Sequence, residues 1–133
     1  MLIDLTSINY LPVIVGGIVY MMYGGIYYSI LLSDKKANTR DIKKTESKGP
    51  FKYIYSVIIA FIISFFMAVL VQSIGADNLI NGKIIGLVIG LLISMVYLKN
   101  ALFGLISKKA LIIAIGDHLV IFTLLGIIHG WLI

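Results

Sequence analysis

Four side chains able to carry charge lie inside otherwise apolar stretches: Lys99, Asp117, His118 and His129, with Asn100 beside the lysine. An ionisable group within hydrocarbon is expensive and by default marks a functional site. Asp117 is the sharpest of them: its side chain is short, so it must pair, reach water or carry a proton. Lys99 has the longer reach, and its stem lets the ammonium snorkel to the headgroups. Counted from a turn centred on Lys108, Lys99 and Asp117 are each nine residues away. That puts them at matched depth, about 13 Å of helix from the turn, where a salt bridge would offset the cost of two isolated charges. His118 and His129 are eleven residues apart on one face, with Phe122 and Leu125 between them. The rise of about 16 Å is too far for one shared metal. Two imidazoles and a carboxylate along one helix are the parts of a proton relay; the alternative is polar residues hydrogen-bonded within the packing. With no Cys and only 6 acids, neither a metal site nor a cofactor is expected.

The second group is aromatic. Tyr20, Tyr23, Tyr27 and Tyr28 form a stripe in one half of the first apolar stretch. Buried phenols need hydrogen-bond partners, which Asn100 or backbone carbonyls would supply; the same stripe could instead wall a bound lipid or quinone ring. No Ser has a dependable His or acid near it in sequence, and there is no phosphate loop and no GxGxxG, so no enzyme is expected.

The elements that position these residues follow from composition. The chain of 133 residues is 60% hydrophobic and only 13% charged, with a mean hydropathy of +1.06. Soluble domains carry about twice that share of charge, so a soluble globular protein and a disordered chain are both excluded. A membrane helix needs about 20 apolar residues, and the stretches 8–32, 53–75, 83–106 and 110–132 each meet that length. They are continuous rather than alternating, which favours helices over a barrel. The expected fold is all-α: one integral membrane domain over 1–133, a four-helix transmembrane bundle. The first stretch is read as a span and not as a signal peptide, because it opens on Met1-Leu2-Ile3-Asp4 without a basic residue and its core is too long.

Orientation follows from the cations. The loop 33–52 holds Lys35, Lys36, Arg40, Lys43, Lys44, Lys48 and Lys52, and the third turn holds Lys108 and Lys109, whereas the second turn has only Lys83. The positive-inside rule puts loops one and three in the cytoplasm and both termini on the extracytoplasmic side of a cell membrane. Trp131 and Tyr10 then sit as outer interfacial aromatics, and Tyr53 and Tyr55 as inner ones. Because Asp34, Asp41 and Glu46 dilute its charge, the loop is no nucleic-acid tail. It is suited to anionic lipid headgroups, at about 1 kcal/mol per charge near the surface, or to a cytoplasmic partner. Residues 34–47 are expected to form a short surface helix ended by Gly49-Pro50.

Small residues mark the packing faces. Gly82, Gly86 and Gly90 recur every four residues, with Tyr97, Asn100 and Gly104 on the same side; Gly116, Thr123, Gly126 and Gly130 share a face of the last span; Ala60, Ser64 and Ala68 do so on the second. Helices in lipid associate through such faces, within one chain or between copies, and a homo-oligomer is expected. The geometry poses a choice. Lys99 points roughly 140° away from the Gly82/Gly86/Gly90 face, and Asp117 a similar angle from the Gly116/Gly130 face. Either the charges pair or the small faces do.

The elements Ile8-Asn9-Tyr10-Leu11, Gly24-Gly25-Ile26-Tyr27-Tyr28-Ser29, Asn100-Ala101-Leu102-Phe103 and Gly116-Asp117-His118-Leu119, followed by Gly126, Gly130 and Trp131, occur in an order that resembles the family of small bacterial and archaeal membrane proteins known as domain of unknown function 1761. The chain departs from it at Tyr27, where the family tends to have Trp, and at Ile30, where it tends to have Pro. The resemblance implies a four-helix fold and no assigned activity. It draws attention to Asn9, Tyr28, Ser29, Asn100, Asp117 and His118. Three functions are expected to compete: an oligomeric channel or carrier for a small ion, proton or solute; a non-catalytic accessory or scaffolding subunit; and a lipid- or quinone-binding protein.

Overall fold

A computed structural model describes residues 3–32 and 49–133. Among these, four helices are long and apolar enough to cross a membrane: α1 (Leu11–Leu32), α2 (Phe51–Ile74), α3 (Leu79–Leu102) and α4 (Lys108–Trp131). The proposed surface helix over 34–47 and most of the basic loop lie outside the described residues.

Local chemistry sets the boundaries: the helix starts differ from expectation by two to four residues, and the ends by none to four. The first helix starts at Leu11 rather than residue 8 because Asn9 caps it, its Oδ1 accepting from the Leu11 N–H at 3.0 Å. Upstream, the Asp4 carboxylate holds a separate 3-10 turn, Leu5–Ser7, by accepting from the Thr6 N–H at 2.9 Å and the Thr6 hydroxyl at 2.6 Å. At the start of α2, the Pro50 carbonyl accepts from the Tyr53 and Ile54 N–H groups. The third helix begins at Leu79, four residues early, because the Asn78 side chain accepts from the Asn81 N–H at 2.9 Å. Both α2 and α3 end in the same left-handed glycine turn. Gly75 has φ 74° with Ala76 N–H bonded to Val71 O, and Gly104 has φ 77° with Leu105 N–H bonded to Asn100 O. Each closes two otherwise orphan carbonyls. Gly104 is thus a turn residue and not part of the glycine face. Ser107 caps α4, its Oγ accepting from the Ala110 N–H at 3.1 Å.

The fourth helix is the hub. It packs against α1, α2 and α3, whereas α3 makes substantial contact with α4 alone. The small faces, not the charges, join that last hairpin. A Cβ added at Gly82 would collide with the Gly126 carbonyl oxygen and lie 2.9 Å from Gly130 Cα; one added at Gly86 would collide with the Phe122 carbonyl oxygen; one at Gly130 would strike Asn78 O. Only backbones bare of side chains come this close, and in lipid such contact is what holds helices together. Across α1 and α2 the approach is also close: a Cβ at Gly16 would meet Ser64 Oγ, and one at Gly17 the Phe61 ring. The buried core comprises Met67, Val71, Ala76, Ile121, Phe122 and Leu125, flanked by Tyr20, Tyr23, Ile85, Ile89 and Ile93.

Candidate intramembrane polar site

The earlier end of α3, at Leu102 instead of residue 106, removes the matched depth that a Lys99–Asp117 salt bridge needs. Lys99 sits in the last turn of α3, about 5 Å from its end, whereas Asp117 is nine residues into α4, about 13 Å. Lys99 is exposed on the outer surface of α3, and the Asp117 carboxylate instead accepts the Tyr28 hydroxyl of α1 at 2.7 Å. The chain directions explain the meeting. Helical side chains lean toward their own N-terminus, and α1 and α4 run oppositely, so Tyr28 leans inward from its end while Asp117 leans back to meet it.

Asp117 is 7% exposed, and no cation neutralises it among the described residues. The phenol satisfies Oδ2, while Oδ1 accepts no hydrogen bond there and is not sealed from the surface. Around it stands the tyrosine stripe. Tyr27 donates to the Ile113 carbonyl at 2.8 Å and passes over Gly116, where a Cβ would come within 2.8 Å of its hydroxyl. Gly116 therefore serves α1, unlike Gly126 and Gly130, which face α3. Tyr23 stacks on Tyr27 with centroids 5.5 Å apart, and Tyr27 meets Tyr28 edge-on at 5.4 Å. Tyr20 is half-buried against the core. From α3, the Tyr97 ring lies 5.0 Å from that of His118, which also stacks on Phe122 at 6.2 Å. The His118 Nδ1 is 2.6 Å from the Ala114 carbonyl of its own helix and so carries the proton there. Asn100 is half-buried and bonds none of the phenols; backbone carbonyl and carboxylate take that part.

His129 belongs to a different place. It is fully buried in the half of the bundle nearer the termini, with Nε2 3.1 Å from Ser64 Oγ. Ser64 donates its one proton to the Val13 carbonyl at 2.8 Å, so Nε2 must donate to Ser64 and Nδ1 is left as a buried acceptor without a partner. Asp117, His118 and His129 thus bond to three different neighbours and form no continuous relay. No group of three or more His, Cys, Asp or Glu able to hold a metal occurs among the described residues.

Sequence reasoning missed one polar knot. Asn9 and Gln72 bond reciprocally, Asn9 N–H to Gln72 Oε1 at 2.8 Å and Gln72 Nε2 to Asn9 O at 3.0 Å, and Asn9 Nδ2 donates to Leu132 O at 3.0 Å. It ties α1, α2 and α4 at one end. The available signal was Gln72, a lone amide in the last turn of an apolar helix. Beside the knot is a cavity of about 340 Å³ lined by Asp4, Ser7, Ile8, Gln72 and Asp77. The Thr6 hydroxyl and N–H hold the Asp4 carboxyl below the usual carboxylate range.

Four apolar helices of spanning length, with a carboxylate and phenols set between them, define a small helical protein of membrane type. The chain belongs to the family described as Protein of unknown function (DUF1761), which matches residues 11–130. No curated protein and no solved structure matches it.

Proposed function

We propose that the protein is a multi-pass carrier or channel of the cell membrane for a small ion, proton or solute, with Asp117 as its ion site. One observation carries this reading: a carboxylate nine residues deep in a spanning helix, 7% exposed, with a phenol as its hydrogen-bond donor and no cation beside it among the described residues. A structural carboxylate at such depth would be expected to have a fixed counter-charge. One that lacks it is completed by a proton or cation from outside. Tyr28, at 39% exposure, is the side chain that must turn aside for such an exchange. The route lies along α4 between α1 and α3, which make little contact with each other. Assembly as a homo-oligomer, with both termini extracytoplasmic and loop 33–52 against anionic headgroups, belongs to the same proposal, as does the absence of enzymatic activity.

Reconstituted in liposomes under an imposed potential, the wild type is expected to pass protons or an alkali cation, and Asp117→Asn to cut that flux at least tenfold. Equal flux in the variant, or none above empty vesicles for the wild type, contradicts the reading. A second reading, an accessory or scaffolding subunit, is favoured by α3: it makes substantial contact with α4 alone and turns Leu87, Val88, Leu91, Leu92 and Met95 outward. Mass measurement after gentle extraction separates the two, since a scaffold brings a different protein with it.

A further inference from the structure

We infer that the site around Asp117 takes a lipophilic organic monocation, an ammonium or phosphonium bearing apolar groups, entering sideways from the bilayer between α1 and α3. The inference rests on the reading of Asp117 as an ion site and names the class of ion. Charge comes first. One carboxylate with no fixed counter-ion among the described residues balances one positive charge. A hydrated metal ion would need several oxygen or nitrogen ligands, and no cluster of three His, Cys, Asp or Glu occurs among the described residues. The group on the carboxylate is instead a phenol, Tyr28, which meets Tyr27 edge-on, and Tyr27 stacks on Tyr23; Tyr97 and His118 pair on the adjoining face of α4. Ring faces attract an organic cation electrostatically, the more so when it is desolvated, and they offer little to a metal ion.

Shape and access agree with this choice. Gly24 lies one turn from both Tyr20 and Tyr28, and a Cβ built on it meets nothing within 4 Å, so the tyrosine stripe has a notch at its centre. Asp117 Oδ1 is free of hydrogen bonds among the described residues and is not sealed in. On α1, Met21 lies two turns from Tyr28 on the same side, and the two are 37% and 39% exposed, so the flank beside the carboxylate opens to the apolar surface. A ligand arriving there must partition into the bilayer. The Tyr28 hydroxyl, which holds Oδ2 at 2.7 Å, is the internal competitor that the cation displaces.

The test is equilibrium binding of tetraphenylphosphonium to the purified full chain in detergent, with neutral triphenylphosphine oxide as the comparison. The wild type is expected to bind the cation saturably and the neutral probe at least tenfold more weakly. Asp117→Asn is expected to lose at least tenfold in affinity. Tyr28→Phe keeps the ring and removes the competing donor, and is expected to bind two- to fivefold more tightly; it answers the question even where Asp117→Asn fails to fold. Filling the notch with Gly24→Leu is expected to weaken binding about tenfold. Equal binding of the neutral probe, an unchanged affinity in Asp117→Asn, or weaker binding in Tyr28→Phe overturns the inference. Absent cation binding together with Asp117-dependent proton or alkali-cation flux overturns this inference alone. Binding without any flux, the cation's own included, sinks the transport reading and leaves the site.

Discussion

Replacing Gly86 by alanine adds one methyl group at the tightest part of the α3–α4 seam. The new Cβ would collide with the Phe122 carbonyl oxygen, lie 2.9 Å from the carbonyl carbon and 3.1 Å from Thr123 Cα. These are backbone atoms in a helix, so no side chain can rotate aside. To restore normal contact the two helices must part by about 1 Å, a gap that forfeits a quarter to a half of the dispersion attraction of the atoms concerned. Overpacking of this kind costs about 1–3 kcal/mol, against a helix-propensity gain for alanine over glycine of about 0.5–1 kcal/mol. The net expectation is a loss of about 1–2 kcal/mol. Gly25→Ala is the matched control: it is helical and exposed, and its Cβ meets nothing within 4 Å. It keeps the propensity gain with no clash and is expected to be neutral or slightly stabilising. Reversible unfolding in mixed micelles, followed by the fluorescence of the sole tryptophan, Trp131, reads both. If Gly86→Ala unfolds at the same denaturant fraction as Gly25→Ala, the seam is not held by bare backbone contact.

Further outcomes are expected from the same assay and from titration. Ser64→Ala leaves the buried His129 Nε2–H without an acceptor and is expected to destabilise by about 1–3 kcal/mol, whereas Ser64→Ala combined with His129→Leu is expected to recover much of the loss; a double variant no better than the single one contradicts the assigned bond. Asn9→Ala removes a helix cap and a bond to Leu132, and is expected to cost about 1–2 kcal/mol; unchanged stability would show the knot to be idle. Asp4 is held below its ordinary range first by the Thr6 hydroxyl. The sign follows: its contribution is present above the unfolded pKa and is lost as pH falls through the lower folded value. Thr6→Val, which keeps the N–H and removes the hydroxyl, is expected to move the Asp4 titration upward toward 3.8 when followed by carboxyl NMR; no movement would exclude the hydroxyl as cause. Because the chain has no Cys, single cysteines at Asp77 and Ser107 report topology cleanly, and a membrane-impermeant thiol reagent is expected to reach the first from outside and the second only after lysis.

The membrane architecture was legible in the sequence because lipid imposes length and apolarity on every span, and the four stretches declare both. The glycine faces were equally legible, since their four-residue spacing reflects a geometric demand. What the sequence left open was whether charges or small faces would join the last hairpin. The decision lay in local chemistry at the turn. Gly104 ends α3 early and Ser107 starts α4 early, which lifts Lys99 out of register with Asp117. The Tyr28–Asp117 bond was hidden for another reason: 89 residues separate the partners, and no single-helix periodicity reports a contact between helices. Ser64 was visible as a small residue, but its role as the acceptor for His129 depends on Gly16 letting α1 approach, a three-helix coincidence.

The central claim is that Asp117 is a carboxyl group reachable from the hydrocarbon and vacant for an ion. Labelling with a hydrophobic carbodiimide, read by mass spectrometry of the protein in vesicles, tests it most directly. Asp117 is expected to be modified in preference to Asp4 and Asp77, and added tetraphenylphosphonium is expected to protect it. An unlabelled Asp117, or labelling that the cation leaves unchanged, would contradict the account.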